Sequence, residues 1–246
     1  MSGSWLVGVG VGPGDPELLT VRAVRTLARA DVVTVPASRD GGPGRAEQVV
    51  AAHVVPARVE RLPFALGGDA SERGPAVDES ASIVVAHLDA GRTVTFATLG
   101  DPHLYATFTP LAAEVHARRP RAQISSVPGI TAAQDLASRT GAVLAVGDES
   151  LTWIPLARPP EGEPDNWTRL EEALADGGPV VVYKAGRHLP ALRRALRRAG
   201  REGDAVVGSD LGGVHQRLDL PDDGPAPYFS TVLVPGPSCP RTGGAS

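Results

Sequence analysis

The chain has 246 residues, 42% of them hydrophobic and 21% charged, enough to bury a sizeable core in one large or two small domains. Its formal net charge of −4 argues against general nucleic-acid affinity, which depends on a strongly basic surface. No apolar run approaches the ~20 residues that span a bilayer, residues 1–5 carry no basic stretch before an apolar core, and the single cysteine, Cys239, rules out an internal disulfide or a thiolate metal cluster. A cytoplasmic protein with no metal site is therefore the expectation.

In chain order, residues 6–11 alternate β-branched side chains with glycine and read as a strand; Pro13-Gly14-Asp15-Pro16 is a turn, and 16–30 a helix with Leu19, Ala23, Val24, Leu27 and Ala28 on one stripe. Without Cβ atoms at Gly8, Gly10, Gly12 and Gly14 the backbone can bend sharply and be approached closely, so a large ligand is expected on this turn. Gly8-x-Gly10 looks like the start of a dinucleotide fingerprint. Against that, Pro13 stands where the third glycine belongs and offers no N–H to a pyrophosphate. The second strand, 32–35, also ends in Pro36-Ala37-Ser38 with no acid for a ribose hydroxyl. A tight strand-to-helix turn without a ligand is the plainer alternative.

A helix over 45–53, a glycine-rich loop over 67–75 and a helix over 78–90 follow. The logic of the first turn then recurs twice. A strand over 93–98 runs into Gly100-Asp101-Pro102 and a helix over 105–117, and a strand over 124–127 runs into Pro128-Gly129 and a helix over 132–140. Glycine turns at the carboxyl ends of strands are where open α/β sheets place ligands. The second helix ends in Arg118-Arg119-Pro120-Arg121, where basic residues suit a helix carboxyl end and proline stops it; this is also the expected link between two halves. Further strands are expected over 151–154, 180–183, 205–207 and 229–234, helices over 166–175 and 189–199, a surface loop over 159–165, and an unstructured end over 235–246. Arg193, Arg194, Arg197 and Arg198 recur at helical spacing beside Leu192, Ala195, Leu196 and Ala199, the pattern of a solvated face. Such alternation predicts an α/β protein with a largely parallel sheet.

Three segments, reading VGVGPGDPELLT, LGDPHLY and VPGITAA in order, give the chain a resemblance to the tetrapyrrole (corrin and porphyrin) methyltransferases, which methylate uroporphyrinogen and the precorrins with S-adenosylmethionine. The likeness runs from about Trp5 to Val234. It is nearest to the subgroup that methylates C20 of precorrin-2 or of its cobalt form: the loop Leu99–Phe108 resembles LGDPxLYSTF, the second strand ends in Val35-Pro36, Tyr183-Lys184-Ala185-Gly186-Arg187 resembles YKxGR, and Pro227-Tyr228-Phe229-Ser230 resembles PYxS. Ala106 stands in place of the usual serine, and Pro63-Phe64-Ala65-Leu66 where the subgroup favours PMT.

The resemblance implies two α/β domains, over 1–118 and 122–236 with a tail over 237–246, in the class III methyltransferase fold. It also implies an active site in the inter-domain cleft, a homodimer, and S-adenosylmethionine as cofactor. Carried over residue by residue, the family's cofactor contacts fall on Pro13, on Leu99, Gly100, Asp101 and Leu104, on Thr131 and Ala132, and on Tyr183. Asp101 has two readings of equal weight, an acceptor for a ribose hydroxyl or ammonium and an ordinary turn residue before proline. The loop tyrosine falls on Tyr105, which could bond substrate, assist proton loss as a catalytic group, or simply pack. A precorrin carries many carboxylates, so an acidic protein needs cations at the site: Lys184, the only lysine, and Arg187 lie just past a strand end, with Arg45, Arg39 and His103 as further candidates. The alternatives left open are a sister methylase acting at another carbon such as C11 or C17, a diphthine or ribosomal-RNA 2′-O-methylase, and a protein that binds the cofactor or a tetrapyrrole without turnover.

Overall fold

The computed structural model describes residues 4–37, 42–64, 70–156, 165–219 and 226–237, with the side chains of 70–73 outside the description. Arg39, Cys239, the Ala65-Leu66 departure, and most of the expected loop over 159–165 and of the C-terminal tail lie outside the described residues. The chain divides into two compact units, Met1–Thr131 and Ala132–Ser246.

The first unit is built on a five-stranded sheet in the order β3-β2-β4-β1-β5, formed by β1 (Trp5–Gly10), β2 (Val32–Pro36), β3 (Val59–Leu62), β4 (Val94–Thr98) and β5 (Gln123–Val127). Every pairing is parallel. Alternation along the strands gives each face its own core. Val7, Val9, Val33, Val35 and Ala97 pack with Ala23 and Leu27 of α1 (Val21–Arg29) and Val49 and Val50 of α2 (Arg45–Val50). Leu6, Val94 and Phe96 pack on the other face with Val84 and Leu88 of α3 (Ala70–Asp89) and Leu111 and Val115 of α4 (Phe108–Arg118). At ~25 cal/mol per Å² of apolar surface removed from water, two such layers supply the main favourable term in folding.

The second unit carries a four-stranded sheet, β6-β7-β9-β8, made of β6 (Thr152–Pro155), β7 (Val180–Tyr183), β8 (Val206–Ser209) and β9 (Ser230–Val234). Here α6 (Asn166–Ala175) and α7 (Leu189–Arg198) cover one face and α5 (Ala132–Thr140) the other. Only β6 and β7 are parallel; β9 runs antiparallel to β7 and to β8. The expectation of a largely parallel sheet therefore holds for the first unit and not for the second.

Three further differences have local causes. The helix expected over 16–30 is two pieces, a 3₁₀ turn Pro16–Leu18 and α1, because Thr20 is extended and its Oγ1 accepts the Ala23 N–H at 3.0 Å, capping a new helix. Part of the glycine-rich stretch expected as a loop over 67–75 lies in α3, which begins at Ala70 with Pro75 inside it. The join between halves falls after Thr131 rather than at Arg118-Arg119-Pro120-Arg121, since β5 pairs along its length with β1 and so belongs to the first sheet. Arg118 does close α4, in ion pairs with Asp78 and Glu114, while Arg119 pairs with Asp89.

Candidate active site

The carboxyl ends of β4, β1 and β5, three adjacent strands, bring the three glycine turns together. Val11 donates its N–H to the Thr98 carbonyl at 2.9 Å, and Gly100 donates to the Gly12 carbonyl at 2.8 Å, bridging the first turn to the second. Asp101 fastens the second to the third: its Oδ2 accepts the Gly129 N–H at 3.1 Å while its Oδ1 accepts the His103 N–H at 2.8 Å. Of the two readings of Asp101, the turn role is thus present in the geometry.

The glycines divide by what a side chain would meet. At Gly10 a Cβ would lie 2.5 Å from the Gly100 carbonyl oxygen and 2.6 Å from the Gly129 nitrogen, and at Gly8 it would lie 2.6 Å from the Phe108 ring. Gly12, at φ +74°, leaves 3.0 Å to the Leu18 carbonyl oxygen. The large ligand expected against these glycines is, at Gly8, Gly10 and Gly12, the protein itself. Gly100 differs. It has φ +65°, and a Cβ there would have only the Thr131 Cα within 4 Å, at 3.9 Å, so a tight left-handed turn faces open space.

Thr131, partly buried, lies beside that opening; the partly buried Leu99 precedes Gly100, the buried Pro13 follows Gly12, whose carbonyl holds the Gly100 N–H, and the partly buried Leu104 donates its N–H to the Asp101 carbonyl at 3.3 Å. Tyr105, which holds φ +52°, lies outside α4 because that conformation cannot continue a helix. It is 43% exposed, and burial of the remainder raises its phenol above the usual 10. His103 is exposed and shares a 2.8 Å hydrogen bond with Ser126 Oγ of β5. Arg45 opens α2, which follows β2 on the far side of β4 from β1, and is partly buried.

The second unit holds the remaining expected residues. Tyr183 ends β7; its ring stacks on Trp153 at 5.6 Å and 14°, and its hydroxyl accepts the Ala133 N–H at 3.2 Å, satisfying one of the orphan donors at the start of α5 beside Ala132. Lys184 follows with φ +58°. Arg187 is exposed, and its Nε donates to His188 Nε2 at 3.0 Å, so that burial and the guanidinium charge together hold the His188 imidazole below its usual range.

Sequence reasoning missed three features. The mutual approach of Gly10 and Gly129 needs the adjacency of β1 and β5, which no local pattern states. Trp153 beneath Tyr183 likewise follows from the β6–β7 pairing. Asp210, with φ +49° at the end of β8, had a visible signal in Asp210-Leu211-Gly212-Gly213, a glycine-bearing turn after a strand.

Residues 5–219 match the sequence profile of the Tetrapyrrole (Corrin/Porphyrin) Methylases. The chain is 38% identical over 244 residues to a precorrin-2 C(20)-methyltransferase of Sinorhizobium sp., covering 94% of this chain and 95% of that one. It is 30% identical over 235 residues to the cobalt-precorrin-2 C(20)-methyltransferase of Salmonella typhimurium, covering 93% and 95%. Among solved structures, the uroporphyrin-III C-methyl transferase of Thermus thermophilus complexed with S-adenosylhomocysteine superposes with a TM-score of 0.66 at 21% identity, over 94% of this chain and 97% of that one. A match over most of the chain, with relatives alike from end to end, makes this protein a member of the tetrapyrrole (corrin/porphyrin) methylase family.

Proposed function

We propose that the protein transfers a methyl group from S-adenosylmethionine to C20 of precorrin-2, or of its cobalt form, in cobalamin biosynthesis. One observation carries the reading: a chain alike from end to end to relatives named for that carbon holds an open-faced glycine, Gly100, at the meeting point of its three strand-end turns. That opening fits the cofactor. A ligand with a carboxylate, an ammonium, a ribose and an adenine needs room to approach backbone closely beside apolar walls; the Gly100 turn leaves such room, and Pro13, Leu99, Leu104 and Thr131 are the proposed walls. Ala132 and Tyr183 extend the same proposal to the start of α5.

S-adenosylmethionine supplies a methyl group already activated by the adjoining sulfonium charge. The chain's share is positioning in a water-poor site, an effect worth up to ~7–11 kcal/mol of a barrier when the reacting atoms are well aligned. No nucleophile is required of the protein, since the ring carbon attacks. Asp101 holds a backbone N–H on each of its oxygens, and this reading gives it the role of fastening the turns. Tyr105, a phenol that is protonated at neutral pH, acts as a hydrogen-bond donor to the substrate. Lys184 and Arg187, with Arg45 and His103, are proposed to meet ring carboxylates. The reading also has the protein working as a homodimer in the cytoplasm without nucleic acid; the net charge of −4 supports the last point, and among the described residues no helix is long and apolar enough to cross a membrane.

Incubation with ¹³C-methyl S-adenosylmethionine and enzymatically made precorrin-2, with and without cobalt, tests it. One labelled methyl at C20 is expected. A methyl at C11 or C17 makes the protein a sister methylase, and tight cofactor binding with no transfer makes it a binding protein.

A further inference from the structure

The segment Pro227-Tyr228-Phe229-Ser230 is built as a rigid mount for two outward side chains. Ser230 Oγ donates to the Pro227 carbonyl at 2.6 Å; with its one proton so used, it accepts the buried Ser209 hydroxyl at 2.7 Å. Gly186 packs so closely that a Cβ there would lie 2.6 Å from the Ala226 carbonyl oxygen, and its own carbonyl accepts the Ala226 N–H at 3.0 Å. Ala185 donates to the Ser230 carbonyl at 3.2 Å, and Asp210 to that of Phe229 at 3.0 Å. The backbone is therefore fastened between the end of β7 and the end of β8, while the side chains are not drawn in: Tyr228 is 44% and Phe229 39% exposed, in edge-to-face contact at 5.2 Å.

Two adjacent aromatic rings held outward on a fixed backbone are a contact surface, because a ligand gains their area with little loss of side-chain freedom. Basic residues flanking the bonded backbone, set against the acidic Asp210, point to the ligand. Lys184, the only lysine, and Arg187 flank Ala185 and Gly186, the residues bonded to this segment, and Lys184 is set in a left-handed conformation that is strained for a non-glycine residue. Aromatic faces with cations at their rim complement a flat conjugated ring bearing peripheral carboxylates. Lysine is, by contrast, depleted from the centres of interfaces between protein copies.

We propose that Tyr228 and Phe229 form the apolar wall against which a tetrapyrrole ring lies, with Lys184 at its carboxylate rim; the inference rests on the function proposed above. The test titrates precorrin-2, and uroporphyrin III as a stable eight-carboxylate ring, into the protein saturated with S-adenosylhomocysteine, reading ring absorbance and tryptophan quenching. Tyr228→Ala and Phe229→Ala should each weaken ring binding roughly tenfold, with S-adenosylhomocysteine affinity unchanged, and Tyr228→Phe should retain most of it. Unaltered ring affinity in both alanine variants overturns the assignment. So does a change of oligomeric state by light scattering at unaltered ring affinity, which would give the pair to a second copy of the chain. If the wild-type protein binds neither ring, the functional reading itself fails; if it binds and the variants match it, only the aromatic wall does.

Discussion

At the carboxyl ends of β1, β4 and β5 the turns touch one another through glycine backbone, with Tyr105 left-handed farther along the loop after β4, whereas in the second sheet the residues just after β7 and β8, Lys184 and Asp210, are themselves left-handed side-chain positions. Both solutions reverse the chain tightly, with opposite consequences. Backbone packed on backbone leaves no room for variation and fixes peptide groups within tenths of an ångström, which suits a constant ligand such as a cofactor. Strained side-chain positions cost stability and place charge, which suits a substrate that differs between enzymes.

The largest effect should come from putting a side chain between the glycines. Gly129→Ala drives a Cβ into the Gly100 carbonyl and within 2.8 Å of Gly10, and a loss of at least ~3 kcal/mol is expected in urea unfolding. Stability equal to the parent would mean that the turns do not abut. Asp101→Asn comes next. It turns an amide N–H₂ toward one of two backbone N–H donors, for a loss of about 1–3 kcal/mol; an unchanged unfolding midpoint would remove Asp101 as the latch.

Much of this was legible in the sequence because glycine turns after alternating strands are local signals. Every strand but β3 was expected; β3 escaped because Val59-Glu60-Arg61-Leu62 shows no alternation, and as the sheet's outer strand it pairs only with β2. Gly8, Gly10, Gly12, Gly100 and Gly129 were visible as conformationally special, but which of them face protein and which face space depends on strand order. That order is non-local. The same limit hid the antiparallel β9, whose apolar run reads alike in either direction.

Smaller effects sharpen the comparison on the second sheet. Lys184→Gly should leave stability equal or higher by up to about 1 kcal/mol, since relief of the left-handed strain offsets the entropy of glycine, while ring binding weakens. A clear destabilisation would show that the lysine is structural. The smallest effect concerns His188. Its folded pKa lies below the unfolded value of ~6.5, so its contribution to stability is present above that value and is lost as pH falls through it toward the folded pKa. His188→Gln should therefore flatten the decline in melting temperature between pH 7 and pH 5, and an unchanged decline would assign it to other groups.

The most direct measurement of the central claim is calorimetric titration of S-adenosylhomocysteine into Gly100→Val, with Gly91→Val as its control. Gly91 has φ +77°, and a Cβ there would meet nothing within 4 Å, so both variants carry the same kind of backbone strain. Both variants are expected to fold with similar melting temperatures, Gly91→Val to bind like the wild type, and Gly100→Val not to bind. Normal binding by folded Gly100→Val would contradict the assignment of the open-faced turn to the cofactor.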